Sequence, residues 1–255
     1  MRQIFPHCSE TTDLAAIYRP PASSRGFWRT NMVATVNGAV EFGGVSRPVS
    51  SGADRLAFHV IRAFADAVVI GRGNAIAEGY TSLPAPNAPE VIPGASMAPP
   101  KLVVVARSLD GLGNAPIARS EEQVVIATSG ARKAEAERLA SSFSVEPSFL
   151  FVGEREMDFG LLRAKLLDLG YRSVVCEGGP TLLGLLLAEG VIDEICLTTT
   201  PLAAPSHHGG PFGPGGDYGL IRLELASVLE EDGTLLYRYA LMPGDDQVGG
   251  SRRVL

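Results

Sequence analysis

Short apolar runs set the strongest constraint on what this chain can fold into. ADAVVI (65–70), LVVVA (102–106), VVIA (124–127) and SVVC (173–176) are the kind of near-continuous run expected of strands buried on both faces of a parallel sheet. Helix-period segments lie between and after them. Ser51 is placed to cap a helix over 53–64 with Leu56, Val60, Ile61 and Phe64 on its apolar face. Residues 131–140 read as an exposed charged helix, 159–169 as a helix closed by Gly170, and 182–187 as a further periodic segment. More strands are expected over 27–36, ending at the Asn37-Gly38 turn, over 149–152, and over 192–199, ended by Pro201. The last two, 221–229 and 235–241, are joined by Glu231-Asp232-Gly233, a hairpin signal that makes them antiparallel at a sheet edge. Strands alternating with helices and closed by a hairpin specify an α/β fold with a mixed sheet.

One domain is expected over 27–243. Residues 1–26 read as an N-terminal extension in which Thr11 or Thr12 caps a short helix through Ile17, and 244–255 as a flexible tail. The segment 39–51, AVEFGGVSRPVSS, reads as a mobile loop beside the end of the first strand. With 255 residues, 45% of them hydrophobic, the chain can bury a substantial core. No apolar run reaches the ~18 residues of a membrane span, and MRQIFPHCSE is too polar to be the core of a signal peptide, so no membrane partner and a cytoplasmic location are expected. A net charge of −6 argues against a nucleic-acid surface, which needs a dense basic stripe. Cys8, Cys176 and Cys196 have no CxxC spacing and form neither a disulfide framework nor a zinc site; the last two are expected to be core residues. The loop 206–216 carries five glycines and two prolines, and its His207-His208 pair has no partners at ligand spacing, so no metal is expected.

The chemistry concentrates in CEGGPTLLG, 176–184, where a strand turns through glycines into a helix. A helix start leaves amide groups without intrahelical partners and adds a partial positive charge, which suits a phosphate. Gly178 and Gly179 permit a sharp turn and close approach, Pro180 lacks an amide that would be unpaired anyway, and Glu177 faces the same opening. The turn after the second apolar strand, Gly71-Arg72-Gly73-Asn74, begins like a dinucleotide fingerprint but lacks its third glycine and its later acidic residue. Arg107, Ser108, Thr128 and Ser129 follow strands and are plausible partners of a ribose phosphate. Arg62 near a helix end reads as a cation complementing the helix dipole. Nucleophile-elbow, Walker and HExxH signatures are absent, which suits a reaction in which a cofactor does the chemistry and the protein places it.

Several stretches together resemble the reductase domain of the bifunctional riboflavin-biosynthesis deaminase-reductases, and specifically its stand-alone pyrimidine reductase relatives. EGGPTLL with EGVIDEICLTTTP, 177–201, resembles the family's EGGPTL, GLVDEL and terminal proline pattern. MVATVNGAV resembles its strand ending in SLDG, and Arg62 with ADAVVIGRGNAIAEGY resembles its R…DAIxVGxGT segment. The zinc-deaminase HxE and PCxxC pattern is absent. The resemblance implies a dihydrofolate-reductase-like three-layer α/β/α fold with a mostly parallel mixed sheet and a C-terminal antiparallel hairpin. It implies an NADPH-dependent oxidoreductase acting on a ribosylaminopyrimidine of the 5-amino-6-(5-phosphoribosylamino)uracil type in riboflavin biosynthesis, as a homodimer. The cofactor would contact Ala34, Asn74, Glu78, Ser108, Gly179, Pro180, Thr181, Leu182, Leu183 and Gly184. The substrate would contact Asn37, Ser46, Arg62 and Glu177, with Arg62 taking its phosphate and Glu177 the candidate catalytic residue; a bound water and substrate-assisted transfer are the other candidate proton sources.

Three positions depart from that pattern. Asn37 stands where the family usually has aspartate, Asn74 where it has threonine, and LAAPSHHGG where it has LLGG after the proline. A pterin or dihydrofolate reductase, and a non-catalytic NADPH-binding sensor, are the alternative readings.

Overall fold

The computed structural model describes residues 1–10, 12–23, 25–83, 98–205, 210–213 and 219–242. Their strands are β1 (Arg2–Phe5), β2 (Phe27–Thr35), β3 (Ala67–Gly71), β4 (Lys101–Val105), β5 (Val125–Thr128), β6 (Ser148–Phe151), β7 (Ser173–Cys176), β8 (Glu194–Thr200), β9 (Leu223–Glu231) and β10 (Thr234–Leu241). All ten form one sheet in the order β1-β9-β10-β8-β2-β7-β3-β4-β5-β6. From β8 to β6 every neighbour is parallel, while β10 pairs antiparallel with both β8 and β9. The helices are α1 (Leu14–Tyr18), α2 (Gly52–Ala63), α3 (Arg72–Ala77), α4 (Lys133–Ala140), α5 (Phe159–Asp168) and α6 (Pro180–Ala188).

Strand alternation sorts the core into layers. Val69, Val103, Val125 and Cys176 point to one face, where they pack with Phe159, Leu162 and Leu166 of α5 and Leu183 and Leu186 of α6. Val68, Ile70, Val104 and Ile126 point to the other, under Ala75 of α3 and Ala136 of α4. On that same face Val175, Cys196, Leu229 and Leu236 meet α1 and α2. The result is the three-layer arrangement that runs buried on both faces require. Each Val or Ile so placed contributes roughly 1.5–3 kcal/mol relative to exposure.

The local signals mostly act as the sequence suggests. Ser51 Oγ accepts from Asp54 N at 3.1 Å and starts α2. Asp232 and Gly233 take φ of 49° and 75°, which turns β9 into β10 with the twist a tight hairpin needs.

Four readings change. Asp13, not Thr12, caps α1, its Oδ1 accepting from Ala16 N at 3.0 Å; Thr11 lies outside the described residues. Leu56 is 47% exposed, because the buried side of α2 is set by Ala53, Ala57, Val60 and Ile61, whose small members let the helix lie close to the sheet. The segment read as an extension supplies β1, which pairs antiparallel with β9, so the hairpin is covered at its outer edge. The loop 39–51 is anchored, as set out below. The tail 244–255 and most of the loop 206–216, with His207 and His208, lie outside the described residues, as does 84–97. Among the described residues, no helix is long and apolar enough to cross a membrane.

Candidate active site

The ends of β3 and β7 meet side by side. Glu177 N donates to Val69 O at 3.0 Å and Gly71 N to Gly178 O at 2.8 Å, which carries the ladder one step beyond both strands. Leu183 N donates to Gly179 O at 3.1 Å, and the amides of Thr181 and Leu182 precede that first helical bond of α6. The Gly178–Gly179 peptide is cis, and Gly178 has φ +101°, a region open to glycine. Side-chain neighbours crowd both glycines as well. A Cβ at Gly179 would lie 2.9 Å from Asn74 Oδ1, and one at Gly178 would lie 3.1 Å from Asn74 Nδ2. Asn74 Nδ2 in turn donates to Glu177 O at 3.3 Å. Asn74 is therefore a wedge between α3 and the glycine turn.

Glu177 is 7% exposed and held on both oxygens. Arg62, in the last turn of α2, donates from Nε to Oε1 and from Nη2 to Oε2, each at 2.6 Å. A bidentate pair of this kind fixes orientation as well as distance. Phe58, one turn back, lies beneath the guanidinium with its ring centroid 4.0 Å from Cζ. Burial opposes the Arg62 cation, but the Glu177 charge and hydrogen bonds outweigh it and hold its pKa above the ordinary arginine value. Tyr80 donates its hydroxyl to Glu177 Oε2 at 3.3 Å. Burial first, then the Glu177 charge, push that phenol far above its usual range, so it keeps its proton.

The other sequence-predicted residues are held by contacts of their own. Glu78, the C-cap of α3, accepts from Ser46 N at 2.9 Å, so two residues expected on different ligands are bonded to each other and tie the 39–51 loop to α3. Ser108 donates to Asp110 Oδ2 at 2.6 Å, and Arg72 Nη1 donates to Asp110 O at 2.7 Å, joining that turn to the start of α3. Pro180 to Gly184 form the first turns of α6, with Leu182, Leu183 and Gly184 buried. Gly213 N donates to Pro180 O at 3.1 Å, which lays the segment 210–213 against that helix start. Ala34 is buried in β2, opposite Thr199 of β8.

Asn37 bonds within the loops that follow β2 and β8. Its Oδ1 accepts from Thr35 Oγ1 at 2.7 Å and from Ala204 N at 3.2 Å, while its Nδ2 donates to Ala204 O at 2.8 Å. It pins the loop after β2 to the loop after β8, and an aspartate could not make the donor half of that tie. Thr128 and Ser129 are buried, whereas Arg107 is exposed. Sequence reasoning missed two contributors. Tyr80 ends the EGY stretch already singled out, and Phe58 lies four residues before Arg62 on one helix face, a spacing that was legible.

The family model of the RibD C-terminal domain matches residues 28–236. The chain belongs to that family. Membership of that family implies oxidoreductase activity. Among solved structures, a pyrimidine reductase-like protein from Corynebacterium diphtheriae is similar with a TM-score of 0.74 at 20% identity, covering 91% of this chain and 99% of that one. Acinetobacter baumannii RibD gives 0.67 at 21% identity, covering 86% of this chain and 59% of its own length. The Saccharomyces riboflavin biosynthesis reductase Rib7 gives 0.55 at 14%, covering 88% and 93%. At these identities the likeness is one of fold, a RibD-type reductase fold with its mostly parallel sheet and β9–β10 hairpin. No curated protein matches the sequence.

Proposed function

We propose that the chain is an NADPH-dependent reductase of a ribosylaminopyrimidine, of the 5-amino-6-(5-phosphoribosylamino)uracil type. The observation that carries this reading is the juxtaposition of the Gly178–Gly179 turn with the Arg62–Glu177 pair. The turn suits a dinucleotide: Asn74 closes off the place of a side chain at Gly179, and the amides of Thr181 and Leu182 stand at a helix start. Gly179 to Gly184, Asn74, Glu78, Ser108 and Ala34 would hold NADPH, which supplies the hydride. Ser46, Arg62 and Glu177 would orient the substrate.

Loss of NADPH absorbance on mixing with the deaminated ribosylaminouracil phosphate tests the reading. Its persistence, at protein concentrations that bind NADPH, overturns it. One observation favours a second reading, a pterin or dihydrofolate reductase: Arg62 is already engaged by a carboxylate, and a pterin ring brings no phosphate. Dihydrofolate turnover in the absence of pyrimidine turnover selects it. If NADPH raises the melting temperature and neither substrate oxidises it, the sensor reading leads.

We also propose a homodimer. Tyr237 and Tyr239 stack at 5.9 Å between ring centroids and stay partly exposed on β10, a strand whose neighbours are covered by helices mainly on the opposite face. Sedimentation of wild type against Tyr237→Glu tests it, a monomer in the wild type overturning it.

A further inference from the structure

Asn37 is exposed, yet both polar atoms of its side-chain amide are engaged. Its Nδ2 donates to Ala204 O at 2.8 Å, and its Oδ1 accepts from Ala204 N at 3.2 Å as well as from Thr35 Oγ1. One amide thus grips both backbone groups of one residue. Beside it Val36 N donates to Leu202 O at 2.9 Å, which carries the pairing of β2 with β8 past the end of both strands. Two positions at which this chain departs from its family's pattern, Asn37 and the LAAPSHHGG stretch, are therefore in contact.

The gripped stretch has a second attachment further along. Gly210 lies at the Asn37 turn, where a Cβ would stand 4.0 Å from Gly38 O. Gly213 N donates to Pro180 O, and a Cβ at Gly213 would stand 2.9 Å from Pro180 Cβ, 3.1 Å from Pro180 C and 3.3 Å from Thr181 N. Backbone meets backbone at the start of α6. Phe212 packs on the core layer that contains Leu182, Leu183 and Leu186 of that helix. Residues 210–213 therefore bridge the turn after β2 and the helix start that follows the glycine turn. Contacts this close leave little slack, so a shift at one attachment is felt at the other.

We propose that Asn37 is a positioning residue for the cofactor: through Ala204 it sets the course of the chain leaving β8, and so the seat of 210–213 against the α6 start where NADPH would bind. It does not itself touch the pyrimidine. The inference rests on the cofactor half of the reading above.

Fluorescence titration with NADPH and steady-state kinetics with the ribosylaminopyrimidine, in wild type, Asn37→Asp, Asn37→Ala and Gly213→Ala, test it. Aspartate keeps the acceptor but loses the donor to Ala204 O, alanine loses both, and Gly213→Ala forces the other attachment apart. Loss of one net hydrogen bond corresponds to about threefold to tenfold, so the NADPH Kd should rise by that factor in each variant, with KM for the pyrimidine unchanged. Circular dichroism checks that the variants are folded, as the exposure of Asn37 leads us to expect. A rise in pyrimidine KM with the NADPH Kd unchanged overturns the inference, because it places Asn37 on the substrate. An equal rise in both, no change in either, or an unaltered Kd in Gly213→Ala overturns it as well. So does a rise confined to Asn37→Asp, since the added charge rather than the lost tie would then be acting. NADPH binding without pyrimidine turnover by the wild type removes only the substrate half of the parent reading, and the titrations still decide; a wild type that binds no NADPH overturns both.

Discussion

Asn74 leaves no room for a side chain at Gly179, where a Cβ would stand 2.9 Å from Asn74 Oδ1. The contact is with the end of a side chain whose Nδ2 bonds Glu177 O at 3.3 Å, so a larger residue at 179 must push Asn74 off that bond or shift the turn. Gly179→Val is expected to displace the turn at an overpacking cost of about 1–3 kcal/mol and to weaken NADPH by about tenfold or more. Fluorescence titration measures the affinity, and circular dichroism checks that the fold persists. Full affinity in a folded variant would show that the turn does not touch the cofactor.

Two arginines, Arg29 buried and Arg238 partly buried, share one carboxylate where β2, β8 and β10 run side by side. Arg29, 1% exposed, donates Nη1 to Tyr18 O at 2.6 Å and brings Nη2 to 3.1 Å from Glu194 Oε1. Arg238 Nη2 donates to Glu194 Oε2 at 2.5 Å. Removing the shared anion strands both cations, which costs about 3–5 kcal/mol. Glu194→Ala should therefore lower Tm by on the order of 10 °C by calorimetry. Arg238→Met, which leaves the Arg29–Glu194 pair intact, should cost less. An equal loss in the two variants would mean that packing, rather than the stranded charge, sets the effect.

The fold was legible because its strongest signals are local and consistent. Runs such as 102–106 admit few structures other than a strand buried on both sides, and Ser51, Gly170 and Asp232-Gly233 mark boundaries by backbone chemistry. The site was legible in its parts and less so in its pairings. Arg62 and Glu177 are 115 residues apart in the chain, and a list of polar residues at strand ends does not say that two of them neutralise each other. The same holds for Glu78 with Ser46 and for Asn37 with Ala204, where the partner is a backbone group that leaves no trace in residue type. The edge strand β1 was hidden because four residues, RQIF, carry too little periodicity to stand out from a terminal segment.

Asp54 ties stability to pH. It lies in the first turn of α2, 7% exposed, with Oδ2 accepting from Ser50 Oγ at 2.6 Å. Burial raises its pKa above the usual carboxylate value, more than the hydrogen bonds from Ser50 and Thr198 lower it. A folded-state pKa above the unfolded one gives a contribution that is fully present below the unfolded pKa and is lost as pH rises through the folded one. The ionised Asp54 is therefore a cost at neutral pH. Urea denaturation of Asp54→Asn against wild type should show the difference moving in favour of the variant as pH rises from the ordinary carboxylate range towards neutrality. A difference that is flat with pH, or that moves in favour of wild type, would mean that the hydrogen bonds dominate.

Thiol reactivity reports on the sheet core. Cys176 ends β7 inside the layer covered by α5 and α6, and burial pushes its thiol up to about 12. Cys196, in β8 under α1 and α2, is raised further, by burial and then by the Glu194 charge beside it. Cys8 is exposed. The thiolate is the reactive form, so at about pH 8 both buried residues lack access and ionisation at once. A disulfide reagent should titrate one thiol rapidly in the native protein and all three after unfolding in guanidinium. Replacing Cys8 with serine should abolish the rapid phase. A second fast thiol would show that one face of the sheet opens to solvent in the native state, and reaction at Cys176, next to Glu177, would place that opening at the candidate active site.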